Sequence, residues 1–99
     1  MGPYMDVFNQ FCDEYADIVN RKTTFIVIGD GRNNFFDPGE DALGRIRLRA
    51  RRTIWLNPER KSFLGSGDSV MIYYKQNCDE VRECRNLQQL IEFVDELTM

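Results

Sequence analysis

The 99-residue chain carries 16 acidic and 13 basic residues, and its net charge of −3 gives no overall attraction to nucleic acid or to an anionic membrane. Histidine is absent, which removes the usual general base and the commonest metal ligand, so the composition argues against an enzyme. The three cysteines are an odd number, and no basic segment followed by an apolar stretch opens the sequence, so we expect one cytoplasmic globular domain over residues 1–99.

The first third of the chain predicts a helix, a strand and a loop. Apolar residues recur at helical spacing over residues 4–20. Residues 23–28 form a β-branched apolar run without alternation, which is typical of a central strand covered on both faces of a parallel sheet. The glycines and asparagines of residues 29–34 predict a loop at the carboxyl end of that strand.

The middle of the chain predicts a second helix and a second strand. Asp37 can cap a helix that has Pro38 at its first position and Glu40 in a capping pattern, and this helix should run to about residue 51. Its inward residues are expected to be Leu43, Ile46 and Ala50. Residues 53–56 predict a strand, which ends at Asn57 and Pro58 because proline cannot continue a ladder.

The last part of the chain predicts a helix, an edge strand and a final helix. Ser66 or Asp68 can cap a short helix carrying Val70, Met71 and Tyr74. Residues 80–84 are short and charged, which suits a sheet edge. Asn86 with Gln89 predicts the start of a final helix. The inward face of that helix is expected to consist of Leu87, Leu90, Ile91, Val94 and Leu97.

Alternation of helices and strands predicts an α/β fold with three layers of the Rossmann-like kind. We expect a short parallel sheet of about three strands with helices on both faces. Three strands leave the most apolar one with an unpaired side. That exposed sheet edge predicts a homodimer or another form of association.

Polar side chains that could carry chemistry collect at the carboxyl ends of the strands, where open α/β sheets bind their ligands. Asp30 directly follows a buried strand and could present oxygens to a divalent ion such as magnesium, or it could bond the amides of its own loop. The segment Gly29-Asp30-Gly31 has part of a phosphate-binding pattern, without the further glycine or a Walker lysine. A small phosphate- or nucleotide-binding protein or enzyme, using Asp30, Arg32 and the asparagines, is therefore an alternative.

Four blocks of the sequence resemble the later blocks of CoxE-like von Willebrand factor type A (VWA) proteins. They are FIVIGDGRNN at 25–34, RRTIWLNPE at 51–59, GSGDS at 65–69 and CDEVRECR at 78–85. VWA domains have a Rossmann-type α/β fold, and many hold a divalent cation in a site built from an Asp-x-Ser-x-Ser loop, a threonine and a later aspartate. Asp30 matches that aspartate, so the resemblance implies Mg²⁺ or Mn²⁺ there. The chain has no Asp-x-Ser-x-Ser motif, so we expect an incomplete metal site and the C-terminal portion of a VWA-like domain.

The resemblance also implies a role. CoxE-like proteins are associated with MoxR-type AAA+ ATPases in metalloenzyme maturation, so the chain is expected to be a non-catalytic protein-interaction module. Its expected interaction loop consists of Arg32, Asn33, Asn34 and Asn57. A fragment without an independent function is the third alternative.

Overall fold

The computed structural model describes residues 3–31, 39–59 and 71–98. Helices and strands alternate along this part of the chain in the predicted order. The elements are α1 (Pro3–Tyr15, with a 3-10 turn over Ala16–Ile18), β1 (Thr24–Ile28), α2 (Glu40–Arg49), β2 (Arg52–Asn57), α3 (Met71–Gln76), β3 (Glu80–Glu83) and α4 (Leu87–Leu97).

The three strands form one parallel sheet in the order β1-β2-β3. Ile26 of β1 pairs with Ile54 of β2, which brings the carboxyl ends of these two strands to the same edge of the sheet. Helices cover both faces, so the predicted three-layer α/β fold is confirmed.

The strand predicted to be central lies at the edge instead. β2 pairs on both sides, and its residues 53–57 are buried, whereas β1 pairs on one side within the described residues. The side chain of Ile28 is 74% exposed. An apolar run without alternation shows that a strand is hydrophobic, but it does not show how many neighbours the strand has. The prediction of β3 as an edge strand is confirmed for the sheet that the structure describes.

One face of the sheet is covered by α1, α2 and α3. Trp55 of β2 lies at the centre of this core and stacks on Tyr74 of α3 with the ring centroids 4.4 Å apart. Phe8 of α1 meets both rings edge-on. The predicted inward residues of α2, namely Leu43, Ile46 and Ala50, are all buried. The aromatic cluster therefore fixes α1 against the middle of the sheet.

The opposite face is covered by α4, but through a different side of the helix than predicted. Phe93 is buried against Ile54 and Leu56, and Leu97 packs beside it. Of the other predicted inward residues, Leu87, Leu90, Ile91 and Val94 are exposed. The predicted start of this helix is confirmed, because the side chain of Asn86 accepts a hydrogen bond from the backbone N–H of Gln89 at 2.9 Å.

Helix α2 begins later than predicted. Gly39 precedes its first residue with a φ of 71°, in the left-handed region, so the helix begins only after Gly39. A side chain at this position would meet the backbone of Met5 at 2.5 Å, which gives a second reason for glycine. The predicted caps Asp37, Ser66 and Asp68, together with Pro38 and Val70, lie outside the described residues.

Candidate functional site

The loop after β1 is held at the carboxyl rim of the sheet by side chains of β2. The backbone N–H of Gly29 continues the strand pairing with the carbonyl of Leu56 at 3.1 Å. The indole N–H of Trp55 donates to the Gly29 carbonyl at 2.8 Å, and the side-chain amide of Asn57 donates to the Asp30 carbonyl at 3.0 Å. Two successive carbonyls of the loop are thus bonded from inside the protein, which fixes the path of the backbone around Asp30.

Tyr4 of α1 binds the same loop from the other side. Its hydroxyl donates to Oδ1 of Asp30 at 3.2 Å and accepts from the backbone N–H of Gly31 at 3.0 Å. Its ring packs on Trp55 with the centroids 5.4 Å apart. Burial raises the pKa of the Tyr4 hydroxyl, and the negative charge of Asp30 raises it further. The hydroxyl therefore stays protonated at neutral pH and can donate to the carboxylate.

Of the four residues predicted to form an interaction loop, the structure describes one. Asn57 is fully buried, and its side-chain oxygen accepts from the backbone N–H of Glu59 at 2.9 Å. Its side chain therefore links two rim loops from the inside and is not exposed to a partner. The other three, Arg32, Asn33 and Asn34, lie outside the described residues.

A divalent cation at the rim would need several oxygen ligands, and Mg²⁺ takes about six of them in octahedral geometry. Among residues 3–31, 39–59 and 71–98, no three His, Cys, Asp or Glu side chains come together in a group that could hold a metal ion. At the rim, Asp30 accepts from the Tyr4 hydroxyl, while Asn57 directs its nitrogen, a donor, at the loop. The described residues therefore do not fit a dedicated site for Mg²⁺ or Mn²⁺.

Sequence reasoning missed Tyr4 as a member of this site. Tyr4 stands 26 positions before Asp30, and helical spacing only indicates that it can face inward. Trp55 is buried in the core, and its hydrogen bond to the loop was likewise not foreseen. A buried tryptophan usually finds a partner for its N–H, and that rule is the one signal that could have indicated the contact.

A second candidate site is the exposed side of α4. On one side of this helix, Glu96 pairs with Arg82 of β3 at 2.6 Å, and Gln89 donates to Glu83 of β3 at 3.0 Å. The helical repeat places the exposed apolar residues on the other side, toward β1. We call this side the α4 flank, and it consists of Leu87, Leu90, Ile91 and Val94. Ile26 and Ile28 of β1 are also exposed, and they point to the same face of the sheet.

The described part of the chain contains no helix that is both long enough and apolar enough to cross a bilayer.

A family model described as "VWA domain containing CoxE-like protein" matches residues 5–93. This stretch includes most of α1, the Asp30 loop, all three strands and α4 as far as Phe93. No curated protein and no solved structure matches the chain. Since the family match spans most of the sequence, the chain belongs to the family of VWA domain containing CoxE-like proteins.

Proposed function

We propose that this chain is a non-catalytic interaction module that binds a protein partner through the α4 flank. The partner that the family resemblance favours is a MoxR-type AAA+ ATPase, acting in the maturation of a metalloenzyme. A cytoplasmic location belongs to the same proposal, because the three cysteines Cys12, Cys78 and Cys84 are unpaired.

The observation that carries the proposal is the exposure of the α4 flank. Leu87 is 70% exposed, and Ile91 and Val94, one turn apart along the same side of the helix, are exposed as well. Single apolar residues on a surface need no explanation, but a row of them on one side of a helix is typical of a binding surface. The matching occupant is the apolar face of a partner helix, packed against α4 by side chains spaced three and four residues apart.

The state of the rim supports a non-catalytic role. The sequence has no histidine, and Asp30, the carboxylate that directly follows β1, accepts a hydrogen bond from Tyr4. A general base has to reach its substrate's proton within hydrogen-bonding distance. In its observed position, the carboxylate serves the structure of the loop.

The phosphate-binding alternative has less support from the same loop. Phosphate loops use backbone N–H groups that point at the ligand. The N–H of Gly31 donates to the Tyr4 hydroxyl instead, and Gly31 is buried. Thermal unfolding of the chain with ATP, GTP or inorganic phosphate tests this alternative, because a ligand that binds only the folded state raises the midpoint. A concentration-dependent rise would favour phosphate binding over the interaction module.

The test of the proposal compares two surface changes of the same kind. Leu87→Asp with Ile91→Asp places two charges on the α4 flank, and Leu48→Asp places one on α2, where Leu48 is 75% exposed on the opposite face of the sheet. Calorimetric titration with the MoxR-type ATPase of the same organism, in the presence of ATP, should show affinity reduced at least about tenfold by the α4 change. Leu48→Asp should bind like the wild type.

Two results would overturn the proposal. One is a wild-type chain that does not bind the ATPase at all, which would remove this partner. The other is an α4 variant that folds normally and binds with unchanged affinity, which would place the contact elsewhere. Circular dichroism of each variant establishes that it is folded before its affinity is compared.

A further inference from the structure

Alternate residues of β1 direct their backbone N–H and C=O groups away from β2, to the outer edge of the sheet. The carbonyl of Thr23 accepts from the N–H of Arg51 at 2.8 Å, and the N–H of Gly29 donates to Leu56 at 3.1 Å, so both residues bond toward β2. In a parallel pair, the backbone groups of successive residues point alternately to the two sides of the strand. Phe25 and Val27 therefore bond toward β2, and Thr24, Ile26 and Ile28 direct their N–H and C=O groups outward.

We propose that two copies of this chain join through β1 in antiparallel register, about a two-fold axis at Ile26, into one six-stranded sheet. In this register Ile26 lies opposite Ile26 of the partner copy, and Thr24 lies opposite Ile28. All three outward residues then form narrow pairs that exchange two hydrogen bonds each. No other antiparallel register of Thr24–Ile28 with itself gives every outward residue a partner. This register therefore leaves the fewest backbone N–H and C=O groups of the edge without a hydrogen bond.

The side chains of β1 are complementary to themselves in this register. On the face that α4 shares, Ile26 meets Ile26 and Ile28 meets Thr24, which are pairs of β-branched residues. On the face of α1, Phe25 meets Val27. Such cross-strand pairs each stabilise a sheet, and the pairing also covers Ile28, a large side chain that one copy alone leaves exposed.

The charged residues that flank β1 lie outside the pairing. Arg21 and Lys22 belong to a turn that the Thr23 N–H closes on the Asn20 carbonyl at 2.9 Å, and the Asp30 carboxylate accepts from Tyr4. The proposed register therefore rests on Thr24–Ile28 alone. The pairing is independent of the partner binding proposed for the α4 flank.

The first test is sedimentation equilibrium of the full chain across a range of concentrations. The wild type should approach twice the monomer mass. Ile26→Pro should stay monomeric, because proline removes an outward N–H while the N–H groups that bond toward β2 remain. Ile26→Thr is the matched control: it keeps the outward N–H and a β-branched side chain, so it should still dimerise. A wild type that remains monomeric at high concentration would overturn the proposal.

A second change keeps the test independent of folding at position 26. Ile28→Lys places a charge at both ends of the pairing, where the side chain is 74% exposed in one copy, and should raise the dimer dissociation constant about tenfold or more. Leu48→Lys adds the same charge on α2, where the side chain is 75% exposed, and should have a clearly smaller effect. Equal effects of the two changes would contradict pairing through β1.

Amide hydrogen exchange identifies the surface that pairs. At low concentration the N–H groups of Thr24, Ile26 and Ile28 should exchange fast, and those of Phe25 and Val27 slowly. At high concentration the three outward groups should become protected as the dimer forms. A dimer whose outward β1 amides stay unprotected would have formed through another surface, such as the α4 flank, and would overturn the proposal.

Discussion

The hydroxyl of Tyr4 lies between the carboxylate of Asp30 and the backbone N–H of Gly31, donating to the first at 3.2 Å and accepting from the second at 3.0 Å. One side chain from the first turns of α1 thus completes the loop that follows β1. Trp55 and Asn57 hold the carbonyls of the same loop from β2. The helix, the strand and the loop are therefore joined at one point, and the conformation of Asp30 depends on α1.

Replacing Tyr4 tests this dependence. Tyr4→Phe keeps the ring but leaves the buried N–H of Gly31 without the hydroxyl acceptor, and Asp30 loses a donor. We expect the free energy of unfolding to fall by about 1–3 kcal/mol, the range for a buried polar group left without its partner. Urea denaturation measures the change. Tyr15→Phe removes an exposed hydroxyl at the end of the same helix and should leave stability unchanged. Equal stability of both variants would show that the Tyr4 contacts contribute nothing.

The sequence predicted which residues form helices and strands better than it predicted which of these elements lie next to one another. The order of helices and strands, the cap at Asn86 and the buried face of α2 follow from local patterns, because each depends on residues a few positions apart. The positions of β1 and β2 in the sheet, and the contact of Tyr4 with Asp30, depend on pairs about 25 positions or more apart, for which spacing carries no information.

Helix α4 shows where the pattern is ambiguous. Its apolar residues span a wide arc, and the periodicity indicates that arc without indicating which part meets the sheet. The structure places Phe93 at the sheet and leaves Leu87 in solvent. The polar contacts agree with this orientation, because Glu96 pairs with Arg82 and Gln89 donates to Glu83, which joins one side of the helix to β3.

Two truncations in α4 test that orientation. Phe93→Ala removes a ring packed against Ile54 and Leu56, beneath the guanidinium of Arg82, which lies 5.1 Å from the ring centroid. We expect a loss of about 3–5 kcal/mol in the free energy of unfolding, the usual cost of emptying a buried aromatic position. Leu87→Ala, in the same helix, should change it by less than about 0.5 kcal/mol. Similar losses from both changes, measured in urea, would mean that Leu87 also packs in the core.

The thiol of Cys78 predicts a loss of stability in alkali. Burial raises its pKa from the ordinary 9.0 to about 12, and the nearby charge of Asp79 adds to this against the opposing effect of Arg47. The folded protein thus keeps the thiol proton to a higher pH than the unfolded chain. The free energy of unfolding should therefore fall as the pH rises from about 9 toward about 12.

A comparison of two proteins isolates this effect from other groups. At pH 10 the contribution of Cys78 should be on the order of 1 kcal/mol, because only the unfolded chain has begun to ionise there. Cys78→Ala should lose less stability between pH 7 and pH 10 than the wild type, by that amount. Parallel pH profiles of the two proteins in urea denaturation would contradict the raised pKa. The offset at pH 7 gives the separate cost of removing the buried sulfur.

Metal binding is the property on which the family resemblance and the geometry of the rim differ. The resemblance implies Mg²⁺ or Mn²⁺ at Asp30, whereas the described residues bring no further acidic group to it and direct Tyr4 and Asn57 at the loop as donors. We therefore expect calorimetric titration of the chain with either cation to show no saturable binding below the millimolar range. Asp30→Asn removes the charge at nearly constant shape and serves as the control.

Saturable binding in the wild type that disappears in Asp30→Asn would mean that groups beyond the described residues complete the site, either from the rest of this chain or from a second copy.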